Sequence, residues 1–108
     1  MPWFITAILS KETLAHRAEK HGIRNEPRSR TFGFYNTYNE AYVACDENRG
    51  SMCECLYDYL VMEYIEPGIH PMVHSELWWK WNDATYRWDC LHEEKPQEFM
   101  GICNWALG

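Results

Sequence analysis

Ser29-Arg30-Thr31-Phe32-Gly33-Phe34-Tyr35-Asn36-Thr37-Tyr38-Asn39-Glu40-Ala41-Tyr42-Val43-Ala44-Cys45-Asp46-Glu47-Asn48 reads as a strand that runs directly into a helix. Thr31 to Tyr35 is rich in β-branched and aromatic residues, and Gly33 leaves one place where a neighbour can approach the backbone closely. Thr37 and Glu40 have the spacing of a capping box, in which each side chain satisfies a backbone N–H at the helix start. Tyr38, Ala41, Tyr42 and Cys45 fall at i, i+3, i+4 and i+7, which gives the helix one face to bury. Asn48-Arg49-Gly50 supplies the stop.

Working outward, Pro2 to Ser10 is a strand with apolar residues on both faces, as a central strand has. Lys11 to His21 places Leu14, Ala15 and Ala18 at helical spacing before Gly22, and Gly22 to Ser29 is a loop. Downstream, Leu56 to Glu66 is a second clear strand closed by Pro67-Gly68. Ile69 to Ser75 is extended or looped, because Pro67 and Pro71 forbid a helix there. Leu77 to Trp81 and Tyr86 to Leu91 form a hairpin around Asn82-Asp83-Ala84-Thr85. Pro96 suits the first position of a last helix that buries Phe99, Ile102, Cys103 and Ala106. The expected fold is a single α+β domain over residues 1–108, an antiparallel sheet of four or five strands carrying two or three short helices.

With 46% apolar and 16% aromatic residues a packed core is expected, and six tryptophans exceed the needs of one small core. The net charge of −6 is unevenly spread. Residues 1–36 hold six basic side chains against three acidic, and residues 37–108 hold four against thirteen. A duplex-binding protein is expected to be basic overall, so bulk nucleic acid is a poor partner. A local arginine cluster in an acidic chain suits a small anionic ligand, or is simply a solvated basic loop. Met1 to Ser10 lacks a basic n-region and a cleavage site, and no apolar run reaches membrane-spanning length. The expectation is a cytoplasmic protein, without a membrane partner, whose five cysteines are reduced.

Cys53-x-Cys55 and Cys90-x-His92 would each place two ligands on one strand face, but they do not match zinc-finger spacings, and free cysteine is also a common buried hydrophobe. His70-x-x-x-His74 has ligand spacing only on a helix, which the prolines oppose, and His16 and His21 are expected to face solvent. There is no phosphate loop, nucleophile elbow or HExxH, so no metal, no cofactor and no enzymatic activity are expected.

Binding is the stronger case. In Trp78-Trp79-Lys80-Trp81 and Tyr86-Arg87-Trp88, alternation puts Trp79 and Trp81 on one face and Trp78 and Lys80 on the other. One face enters the core, and the other needs a partner subunit or a planar ligand. Two or three short helices cannot cover both a sheet face and this hairpin, so a homo-oligomer is expected. Arg28, Arg30, Lys80 and Arg87 supply forks or charges for phosphate, and rings stack a base. The candidate ligand-binding residues are Arg28, Arg30, Phe32, Phe34, Trp79, Trp81, Asn82, Asp83, Arg87, Trp88 and Asn104. The site is expected where the hairpin rings approach Arg28-Ser29-Arg30, across a subunit boundary. A homodimer interface built of the same residue types is the alternative.

Four stretches carry a family resemblance: Arg30-Thr31-Phe32-Gly33-Phe34-Tyr35-x-Thr37-x-x-Glu40-Ala41, Ile65-Glu66-x-Gly68-Ile69-x-Pro71, Trp78-Trp79-Lys80-Trp81 and Glu94-Lys95-Pro96-x-Glu98-Phe99. Over about Arg30 to Phe99 the chain resembles small prophage-encoded proteins, and among them the first family of Thoeris anti-defence proteins. The resemblance implies a sponge that sequesters cyclic ADP-ribose-type signals made by bacterial TIR enzymes without cleaving them. It also implies assembly as dimers or trimers of dimers and, in some members, a second site for cyclic oligonucleotides. The alternative is a small phage protein that inhibits a host defence protein by direct binding.

The cysteine reading has a direct check: elemental analysis of the purified protein is expected to find no stoichiometric zinc, and thiol titration under denaturing conditions is expected to find all five thiols free.

Overall fold

A computed structural model describes residues 2–23, 26–49, 57–67, 73–102 and 105–106 of the chain. In order these form β1 (Trp3–Ile8), α1 (Lys11–His21), β2 (Ser29–Tyr35), α2 (Tyr38–Asp46), β3 (Tyr59–Ile65), β4 (Val73–Asn82), β5 (Arg87–His92) and a single 3-10 turn at Gln97–Phe99. The strands make one antiparallel sheet in the order β2-β1-β3-β4-β5, so the fold is α+β as expected. The two strands with the longest apolar runs, β1 and β3, sit side by side inside it, because only inner strands are buried on both faces.

α2 forms where the spacing predicts and lies across one face of the sheet, but Tyr38, expected on its buried side, is 45% exposed and Ala44 is buried in its stead. The Glu40 amide donates to Thr37 Oγ1 at 3.2 Å. The return half of the capping box differs: the Glu40 carboxylate accepts from the Thr37 hydroxyl at 2.9 Å, not from its amide. Ala41, Ala44 and Cys45 are buried against Ile5, Ala7, Leu60, Met62, Trp79 and Trp88. Asn48, in the left-handed region at φ 53°, ends the unit and accepts a hydrogen bond from Trp88 Nε1 at 3.0 Å.

The opposite face is covered by the C-terminal segment. Phe99 stacks on Trp78 with ring centroids 5.3 Å apart, and Trp105 meets Phe99 edge-on at 5.1 Å. Ile8 and Val61 complete this second core. The last helix is a correction. Pro96 is extended at ψ 141°, Met100 likewise, and Gly101 is at φ 89°, so only one turn of i→i+3 bonding forms. The amides of Trp105 and Ala106 bond to the Glu63 side chain and are therefore not available to a helical ladder. Cys103, also assigned to that helix, lies outside the described residues, as do Leu56, Gly50 and the Ile69–Pro71 stretch.

β4 starts earlier than expected, at Val73, because Val73 and Ser75 find partners in Ile65 and Tyr64 of β3. The hairpin keeps the predicted alternation, with Trp79 in the first core and Trp78 in the second. Since α2 covers one and Phe99 the other, the hairpin does not need a partner subunit to bury it. That corrects the argument from which an oligomer was expected.

α1 has the expected limits, with Gly22 at φ 66° as its C-cap, yet buries no residue. It is held by its N-terminus. Ser10 Oγ accepts the Thr13 amide at 3.1 Å, while Asp58 takes the Ser10 amide at 2.7 Å and the Thr13 hydroxyl at 3.0 Å. The Lys11 amide reaches Glu98 at 3.0 Å. Asp58→Ala removes two bonds to a charged acceptor and is expected to lower stability by about 2 kcal/mol in chemical denaturation. It should also lower the helical circular dichroism, because α1 has little packing to fall back on.

Candidate functional site

The bulge in β2 shapes the first candidate. Ile5 pairs with Gly33 and Thr6 with Thr31, leaving Phe32 as the extra residue. Gly33 takes φ 154°, which disfavours a side chain, and a Cβ there would meet nothing within 4 Å. A groove of about 370 Å³ opens at this point, lined by Ile5, Phe32, Gly33, Phe34, Tyr35, Ala44 and Arg49. The space over the Gly33 backbone is open, and no described group makes the close approach that the glycine allows. Beside the groove, the Arg30 guanidinium lies 4.9 Å over the Phe32 ring. Arg30 is exposed and makes no ion pair with any described residue. Arg49 pairs with Glu47 at 3.6 Å, both well exposed, a contact that solvent weakens. Phe34 projects from the other face of β2, 58% exposed, against Phe4 at 5.7 Å.

The second candidate is a larger cleft of about 830 Å³ between α1 and the turn of the hairpin. Its walls include Thr13, His16, His21, Tyr57, Asp58, Trp81 and Asp83. Trp81 is half-buried, edge-on to Trp88 at 5.2 Å and to Tyr86 at 5.3 Å, and donates from Nε1 to Asp83 at 2.8 Å. Arg17 in this cleft is bonded to Glu26. With Glu12, Asp58 and Asp83 also present, the described lining is predominantly acidic and poorly suited to phosphate.

The eleven predicted residues therefore do not form one cluster within a chain. Arg30, Ala7, Leu60 and Trp79 are successive partners across the sheet, so the arginine strand and the ring-bearing β4 are three strand spacings apart, about 14 Å. Trp79 and Trp88 are not exposed rings but core residues, at 0% and 3% exposure, because the face they share is the one α2 covers. Arg28 is engaged: it donates to Glu98 at 2.6 Å and to the Leu9 carbonyl at 3.0 Å, and lies 5.0 Å over Phe99. Asn82 shapes the turn by accepting from the Ala84 amide at 2.9 Å, and donates to Asp89 at 2.9 Å. Arg87 is exposed beside it on β5, and Asn104 lies outside the described residues. The described predicted residues thus fall into separate groups: Arg30 meets Phe32 beside the β2 groove, while Trp81, Asn82, Asp83, Arg87 and Trp88 gather at the end of the hairpin.

Sequence reasoning missed Arg49 as a groove residue, since it read only as part of a helix stop. It also missed Glu63, whose signal was present: a single carboxylate inside the apolar run Leu60 to Ile65. Cys90 Sγ lies 3.8 Å from His92 Nδ1, while Cys53 and Cys55, their proposed zinc partners, are outside the described residues. Burial pushes the Cys45 thiol far up, with Cys90 and Asp46 adding to the effect, so that side chain is a packing group and a poor nucleophile.

The division of labour between the two arginines is testable. Arg28→Ala is expected to lower stability by about 2–3 kcal/mol in chemical denaturation while leaving ligand affinity per folded molecule unchanged. Arg30→Ala is expected to leave stability within about 0.5 kcal/mol, as for an exposed side chain without an ion pair. No family model matches this chain, and no curated protein or solved structure shows significant similarity to it.

Proposed function

We propose that the protein binds and sequesters a small cyclic nucleotide of the cyclic ADP-ribose type, without cleaving it, and so acts as a phage anti-defence sponge. The observation that carries this reading is the Arg30 guanidinium held 4.9 Å over the Phe32 ring at the edge of the β2 groove. A pyrophosphate needs a guanidinium fork, which Arg30 supplies, and the outer plane of a guanidinium that rests on a ring can itself carry a base. Arg49 borders the same groove and adds a second cation. The groove volume of about 370 Å³ lies in the range of roughly 300–1,000 Å³ usual for small-molecule sites. The groove is shallow for a ligand of this size, so a second copy closing over it is part of the proposal, in keeping with the assembly that the resemblance implies.

A second reading, direct inhibition of a host defence protein, is favoured by Phe34, 58% exposed on the edge strand β2 with the half-buried Phe4 beside it. Incubation with a TIR-made cyclic ADP-ribose isomer, removal of free ligand, heating and analysis of the supernatant distinguishes these readings. Intact ligand released in stoichiometric amount is the expected result. Altered ligand means an enzyme, and no uptake leaves the protein inhibitor. Arg30→Ala is expected to weaken capture by one to two orders of magnitude, the loss of about 1.5–3 kcal/mol for a charge-assisted contact.

A further inference from the structure

Glu63 lies in the middle of β3 with its side chain fully buried, directly across from Glu76 on β4 and Phe4 on β1. Its carboxyl reaches the main chain of the C-terminal segment. The Trp105 amide donates to Oε1 and Oε2 at 3.2 and 3.0 Å, and the Ala106 amide to Oε1 at 3.0 Å. Through these bonds Trp105 is seated on Phe99, which in turn covers Trp78.

We propose that Glu63 is a proton-operated clasp: neutral, it holds the segment at Trp105 and Ala106 on the sheet, and ionised, it favours release. Oε1 alone is within reach of both amides, so a proton on Oε2 leaves both bonds in place. Ionisation instead puts a full charge into an apolar layer beside a second carboxylate. The charged groups facing Glu63 are Glu76 from β4 and Lys95, which follows β5. Lys95 is itself shared, with Glu76 at 3.7 Å and the Ile102 carbonyl at 2.6 Å. β1 contributes only Phe4 at this row, and the segment itself contributes amides.

Burial raises the Glu63 carboxyl from its ordinary 4.5 to about 7, with Glu76 adding to the rise and the two amide bonds and Lys95 opposing it. A group raised on closure stabilises the closed state fully below 4.5 and loses that contribution as pH climbs through about 7. If release restores the ordinary value, the opening equilibrium grows by about two orders of magnitude over that interval. Opening would expose the edge of Phe99 beneath Trp105 and free a carboxylate pair at the sheet surface.

Amide hydrogen exchange read by NMR on the full chain tests this. Between about pH 5 and 8.5, the protection factors of Trp105 and Ala106, corrected for intrinsic exchange, are expected to fall about 100-fold. In Glu63→Gln, which keeps an acceptor and cannot ionise, they are expected to stay flat. In Glu76→Gln, which removes the facing charge, the midpoint is expected to move to lower pH. Flat protection in the unsubstituted chain, or the same fall in Glu63→Gln, overturns the proposal. Should Glu63→Gln not fold, Glu76→Gln decides: a midpoint shifted down supports the clasp, and an unmoved one overturns it.

Discussion

A sheet has two faces to bury, and among the described residues only one helix lies on it. α2 covers the face that carries Ala7, Leu60, Trp79 and Trp88. The other face carries Ile8, Val61 and Trp78, and without a second docked helix it is closed by a short irregular segment bearing Phe99 and Trp105. Irregular backbone over an apolar layer needs its amides satisfied, which is what Glu63 supplies from within the sheet. A buried carboxyl and a helix that does not form are thus two sides of one solution. α1, which could have served as the second cover, has too small an apolar stripe and is attached by its N-terminal hydrogen bonds instead.

The same constraint decides what the cations do. Arg28 is drawn to the C-terminal cover, where Glu98, the Leu9 carbonyl and the Phe99 ring hold it. Arg30, two residues on, borders the opposite face at the sheet edge and keeps its guanidinium over Phe32. One arginine closes the second core, and the other stands beside the β2 groove. The acidic excess of the later part of the chain appears in the α1 cleft, where Asp58 and Asp83 accept hydrogen bonds from neutral donors. Guanidinium groups thus border the β2 groove, while carboxylates predominate in the described lining of the α1 cleft.

Local signals were read well wherever the cause was local. The Thr37 to Asn48 helix, the Gly22 stop, the central character of β1 and the Trp78/Trp79 alternation all follow from spacing, capping and side-chain period. The candidate site was legible only in part. Arg30, Phe32 and Gly33 lie together because they are neighbours on one bulged strand, and that was visible as ring, cation and glycine in sequence. Trp79 and Trp88 were the right residue types for a stacking site but are spent in the core.

The sequence by itself determined the type of most of the elements, because capping, glycine stops and periodicity act within a few residues. It also determined that aromatic side chains would have to share faces with charged ones. Which face each helix would cover, where β4 would begin, and how the Phe99 segment would fold were decided only in the tertiary structure. Those outcomes depend on pairings between distant residues, Val73 with Ile65 and Glu63 with the amides of Trp105 and Ala106. The physical reason is competition. Phe99 gains more from stacking on Trp78, and the amides more from a buried carboxyl, than a short helix after Pro96 would return.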